Sequence, residues 1–263
     1  MIDEAMKSPL ESIGKYDVAT KRTKVDNPVS KLKEKLNSLS DESEDQGRLE
    51  VWLSEQVASG KLELLTDEAT AFKKVFVSSD EPDIVLKAFD AESREAWQRE
   101  ADQDKILREY ITNHFLPETE YVEISASSAP DKQLFVVQER EEGVQLKTFV
   151  IKVIELLTAS IPIAEVEEYF KENPDKWTDL KRMALQKFVP STMWAIATGE
   201  ARILASQMAK LEEHFKISDL DFFITPEGKI KIIDLELTKK EDFEPIEGGY
   251  LEGLDDFKAI FKV

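Results

Sequence analysis

Two aspartates near the C-terminal end carry the most suggestive spacing in the sequence. Asp221 and Asp234 stand thirteen residues apart in DLDFFITPEGKIKIIDLE, with Pro226-Glu227-Gly228 between two β-prone runs. Pro and Gly between such runs signal a hairpin turn. The expected strands are 221–225 and 229–235, so the turn would deliver both carboxylates to one end of a hairpin. A lysine, Lys87, lies in the apolar run IVLKAF. A cation in such a strand either pairs with an acid or faces solvent at a sheet edge. Other chemistries are closed. The absence of Cys removes disulfides, thiolate zinc sites, iron–sulfur clusters and a thiol nucleophile. The two histidines, His114 and His214, are too few for a histidine-rich metal site. There is no Ser-His-Asp order, no Walker loop and no dinucleotide fingerprint.

The wider composition bounds the partners. The 263 residues include 54 acids and 35 bases, a formal charge of −19. That excess argues against nucleic acid, whose phosphates call for clustered Lys and Arg, and leaves a basic protein surface as a partner class. The most apolar run, 149–166, is interrupted by Lys152, Glu155 and Pro162, so no membrane span is expected. The opening MIDEAMKSPL has acids where a signal peptide carries bases. A soluble, cytoplasmic protein is the expectation.

The elements that must position these residues follow from periodicity. Residues 1–48 hold one aromatic, Tyr16, and nearly balanced charge, ten acids against nine bases. Such a stretch buries too little apolar surface to offset ordering entropy, so it reads as a flexible N-terminal extension with one short helix at 29–39. A flanking helix over 48–59 stops at Gly60. From 61 to 141 the chain is β-rich, with strands at 72–78, 84–89, 120–125 and 133–139 around one long helix at 90–115. From 142 to 263 it is mainly helical, with helices at 146–159, 163–171, 175–187 and 191–215 before the hairpin. The fold class is α+β.

In this order the chain resembles the protein-kinase-like superfamily, which includes aminoglycoside phosphotransferases. The segment HFKISDLDFFITPEGKIKIIDLE is similar to that family's H-x-D-x-x-x-x-N, strand, turn, strand and D-F-G or D-x-E. The resemblance spans roughly residues 65–238. It implies a two-lobed kinase-like fold with a β-rich N-lobe over 61–141 and a helical C-lobe over 142–263. It implies ATP and Mg²⁺ as cofactors, with Asp221 at the family's Asn position and Asp234 at its metal-binding Asp. Lys87 looks like the strand-borne lysine that contacts the nucleotide phosphates. The long helix then takes the place of the helix whose Glu pairs with that lysine; Glu100 and Glu109 are the candidates. LFVVQEREEG resembles the strand entering the interlobe hinge, so the backbone of Gln138, Glu139 and Arg140 would face the adenine.

The departures bear on activity. Lys216 stands where the family has its catalytic Asp, and a lysine accepts no hydroxyl proton at neutral pH unless its pKa is strongly depressed. Asp219 is three residues out of register. Glu68, Thr70 and Lys73 fall where the family's phosphate loop has glycines, whose bare backbone lets N–H groups approach phosphate. Phosphoryl transfer works by positioning and electrostatics, so these losses should cost several orders of magnitude in rate. The reading is a pseudokinase acting as a binding or regulatory module, with a nucleotide or a basic protein as its partner. Two alternatives stand beside it: an active, divergent ATP-dependent small-molecule phosphotransferase, and an acidic interaction protein with an empty cleft.

Overall fold

Short β-prone runs set the strands of the chain, and 3.6-residue periodicity sets its helices. The computed structural model describes residues 27–38, 45–64, 73–89, 91–124, 133–146, 151, 154–155, 157–159, 161–242 and 253–263. The fold is α+β, and the chain divides into two compact units.

The sheet unit holds the described chain up to Arg108 together with Pro117–Arg140. Its strands are β1 (Leu62–Leu64), β2 (Lys73–Ser78), β3 (Ile84–Phe89), β4 (Thr119–Ile124) and β5 (Gln133–Glu139). They form one antiparallel sheet in the order β1-β2-β3-β5-β4. Because the side-chain period of a strand is two, the register separates two faces. On one face Ile84, Leu86, Val122, Phe135 and Val137 pack with Val29 and Leu32 of α1 (Pro28–Ser38) and Trp52 and Leu53 of α2 (Asp45–Ser59). Each such side chain, once fully buried, contributes roughly 1.5–3 kcal/mol. On the other face Phe89, Leu134 and Val136 pack against Ala96 and Trp97 of α3 (Arg94–Tyr110) and Tyr121 of β4.

The short helix expected at 29–39 is α1, Pro28–Ser38. Val29 and Leu32 are fully buried, and the Glu118 carboxylate accepts the N–H groups of Val29 and Ser30, each at 3.0 Å. A carboxylate at a helix N-terminus satisfies orphan donors and favours the helix dipole. Lys33 adds an ion pair to Glu120 at 2.8 Å, and Lys35 one to Glu81. What composition does not register is the cap, supplied by Glu118 just before β4. Residues 1–26 and 39–44 lie outside the described residues.

The hairpin unit holds Glu109–Leu116 and Glu141–Val263. Its sheet is β6 (Val144–Gln145), β7 (Phe215–Ile224) and β8 (Ile230–Lys239), antiparallel in that order. Its helices are α4 (Ile163–Glu172), α5 (Pro174–Phe188), α6 (Ser191–Leu211) and α7 (Gly253–Phe261). The helix expected at 146–159 is described only in part; Leu146, Ile151, Ile154, Glu155, Leu157 and Thr158 are helical. The long helix expected to reach 115 ends at Tyr110, and Asn113–Phe115 makes a 3₁₀ turn that still buries Ile111 and Phe115. The turn between β7 and β8 is the expected one. Gly228 has φ +79°, and a Cβ there would meet the Met193 carbonyl oxygen at 2.8 Å, so only glycine fits. Among the described residues, no helix is long and apolar enough to cross a membrane.

Candidate functional site

Lys87 sits in β3 on the face that α3 covers. Its ammonium donates to Oε1 of Glu100 at 2.7 Å. Of the two acids offered as partners, Glu100 is the one in contact, and Glu109 is exposed. The helix is held in this rotation by neighbours. Trp97 donates its indole N–H to the Phe135 carbonyl at 3.0 Å, and the Tyr121 hydroxyl donates to the Glu100 carbonyl at 3.1 Å. The two rings meet edge to face with centroids 5.9 Å apart, a favoured aromatic geometry. Desolvation raises the Tyr121 phenol, as do the charges of Asp104 and Glu100, so it stays neutral and remains a donor.

A second lysine completes the cluster. Lys73 of β2 donates to Oε2 of Glu100 at 3.2 Å, so one carboxylate holds two ammonium groups, one on each oxygen. Lys73 entered the sequence reading only as a missing glycine. The signal that could have found it is register: Lys73 pairs with Phe89 and Val75 with Lys87, which makes the two lysines diagonal neighbours on one face. Burial pushes the Glu100 carboxyl up, but the charges and hydrogen bonds of Lys87 and Lys73 outweigh it and hold the group below its ordinary value of 4.5.

A depressed carboxylate contributes stability that is complete above its unfolded-state pKa and is lost as pH falls through the folded one. Wild type should therefore exceed Glu100→Gln by about 1.5–3 kcal/mol at pH 7, the worth of a hydrogen bond to a charged group. The gap should shrink as pH drops below about 4.5. Urea titrations of both proteins across pH 3–7 read it directly, and a gap that widens with acid would contradict the assignment.

Gln138, Glu139 and Arg140 do not offer the free backbone donors that an adenine would need. The Glu139 N–H donates to the Glu118 carbonyl at 2.7 Å, and the Arg140 N–H to the Asp83 carbonyl at 2.8 Å. The Gln138 amide reaches Thr119 Oγ1 at 3.3 Å. β5 is an interior strand through Glu139, so its edges are already paired.

The hairpin unit holds the two aspartates. Asp221 of β7 and Asp234 of β8 are direct partners in the ladder, so the thirteen-residue spacing does bring them opposite one another. The strands are longer than expected, and the pair lies mid-hairpin rather than at its end. A register shift follows Asp221. Asp221 is buried. Its Oδ2 accepts the Gln145 amide of β6 at 2.6 Å, and its Oδ1 accepts the Phe222 N–H at 2.9 Å. Gln145 was not foreseen; it lies two residues past Gly143, in a two-residue strand too short to show a period. The side chains of Asp234 and Asp219 lie outside the described residues.

Of the two carboxylates that the resemblance assigns to Mg²⁺, the Asp221 side chain is described and is buried. Each of its oxygens accepts one N–H, which fixes the carboxylate's orientation. Among the described residues, no three Asp, Glu or His side chains gather as a metal set. Lys216 is exposed in β7 opposite Thr238, so the position of the family's catalytic acid is a strand residue here. Glu68 and Thr70 lie outside the described residues. Comparison with protein-family models and with curated proteins finds no match.

Proposed function

We propose that this chain is a kinase-like protein of impaired catalysis, a cytoplasmic nucleotide-binding or regulatory module. Its sheet unit corresponds to the β-rich N-lobe and its hairpin unit to the helical C-lobe. The observation that carries the reading is the ion pair at 2.7 Å between Lys87 of β3 and Glu100 of the next helix. That pairing is what the resemblance requires of a lysine that contacts nucleotide phosphates. Impairment is supported by the lysine at position 216 and by the hydrogen bonds that occupy Asp221. A lysine takes no hydroxyl proton at neutral pH unless its pKa is strongly depressed, and the Asp221 carboxylate is buried. A basic protein surface is the macromolecular partner that a net charge of −19 favours.

The test is turnover. With ATP and magnesium supplied, phosphate release and phosphate transfer to a panel of small hydroxyl acceptors should stay at the level of a buffer control. Robust transfer that disappears in Asp234→Ala would overturn the proposal and make the chain an active, divergent phosphotransferase.

A further inference from the structure

We infer that the outer face of α4 is a docking surface for an arginine-bearing basic segment of a partner protein. The inference rests on the reading of a basic protein surface as the macromolecular partner, and deepens it by naming the surface and the side chain it receives.

The apolar part of the face comes from helical spacing. Ile163, Val166 and Phe170 recur every three or four residues, which sets them on one stripe of α4. The stripe is covered toward its end: Val166 is buried, and the Phe170 ring meets Trp177 of α5 with centroids 4.7 Å apart. Its start is open, and Ile163 keeps 55% of its exposure. Beside the stripe the half-buried Tyr169 ring meets Phe170 edge to face at 5.4 Å. Trp177 is engaged on its own account, with the Lys181 ammonium 5.1 Å from its centroid, so Tyr169 is the ring assigned to the partner. α5 is tied to α7 by the buried pair of Lys181 with Asp256, so the surface is in place before a partner arrives.

Charge decides the occupant. α4 carries Glu165, Glu167, Glu168 and Glu172 against Lys171, all of them exposed. Among the described residues no cation pairs with those four carboxylates. Each apolar anchor has a carboxylate one turn away: Glu167 from Ile163, and Glu165 and Glu172 from Tyr169. Glu165, Glu168 and Glu172 also stand one turn apart from each other, and like charges at that spacing weaken a helix. Glu172 ends the helix, where the dipole disfavours an acid. A cation lying along this face relieves both costs. Arginine fits better than lysine, because its planar guanidinium stacks on an aromatic face, pairs with a carboxylate through two N–H groups and is weakly hydrated.

The experiment is fluorescence anisotropy of labelled nona-arginine, nona-lysine and nona-glutamate with the full chain, at about 50 and about 150 mM salt. Nona-arginine should bind about threefold or more tighter than nona-lysine and weaken as salt rises, and nona-glutamate should not bind. Glu165→Lys with Glu168→Lys should weaken nona-arginine by about tenfold or more. Glu55→Lys with Glu63→Lys makes the same change of charge on exposed residues of the sheet unit, and should stay within about threefold of wild type. Tyr169→Leu should bring nona-arginine down to the level of nona-lysine and leave nona-lysine unchanged. Circular dichroism checks that each variant is folded; Glu165→Gln with Glu168→Gln, and Tyr169→Met, serve where one is not. If the two pairs of charge changes weaken binding equally, or Tyr169→Leu and Tyr169→Met bind as wild type, or the two basic peptides bind alike, this inference falls while the basic-partner reading stands. If neither basic peptide binds at either salt, both fall.

Discussion

Asp256→Ala lowers the unfolding free energy by about 3–5 kcal/mol, the range for stripping a buried charge of its partner. Lys181 of α5 is only 2% exposed, and its ammonium is paired with the Asp256 carboxylate of α7. Thr178 donates to the other carboxylate oxygen at 2.6 Å, and the Trp177 ring lies 5.1 Å below the ammonium. With the carboxylate gone, the Trp177 face beside the ammonium compensates for only a small part of the loss. The consequence reaches the hairpin. α7 brings Phe257 and Phe261 within 5.6 Å of Phe222, the residue after Asp221, and Phe261 also stacks on Trp194. Equilibrium urea unfolding measures the loss. A decrease under 1 kcal/mol would show that the pair is not what ties α7 down. Replacing both partners, Lys181→Met with Asp256→Leu, should recover most of the stability, because it removes the buried charge along with its partner.

Gly143→Ala is the second large loss, about 2–5 kcal/mol. Gly143 has φ +139°, a region that side chains rarely enter, and a Cβ there would lie 2.2 Å from the Ile224 carbonyl oxygen. Strain of about 1–3 kcal/mol adds to a clash of similar size, since backbone cannot yield as a flexible side chain does. The chain must shift where Val144 and Gln145 pair with Ile224 and Phe223. That shift pulls the Gln145 amide from Asp221, so the variant should also alter the environment of the buried carboxylate. Thermal unfolding reads the stability, and carboxyl carbon NMR shifts read Asp221. A variant as stable as wild type would mean that the β6–β7 approach is looser than described.

Why some of this was legible in the sequence follows from particular residues. Lys87 in IVLKAF and the long Gly- and Pro-free stretch after it announce a strand lysine followed by a helix. The choice between Glu100 and Glu109 was hidden, yet not beyond reach. Nine residues are two and a half helical turns, so the two acids face opposite sides. Trp97, one turn before Glu100, marks the packed side. The start of β7 was hidden for a different reason. Phe215-Lys216-Ile217 alternates for only three residues before a register shift, too short a run to separate from the end of a helix. Lys73 and Gln145 act through neighbours on other strands, and register between distant strands is not written in local periodicity. The cap that Glu118 gives to α1 joins residues 88 apart and is invisible for the same reason.

If Lys87 belongs to a nucleotide pocket, as proposed, ATP should stabilise the protein only while that lysine is present. Thermal and urea unfolding with and without ATP, on wild type and on Lys87→Ala, test it most directly. Ligand at about 100 times its dissociation constant adds roughly 2.7 kcal/mol to the stability of wild type. In Lys87→Ala, where Glu100 keeps Lys73 as its partner, the protein should fold and the ATP-dependent gain should vanish. An equal gain in both proteins, or none in wild type, would contradict the account.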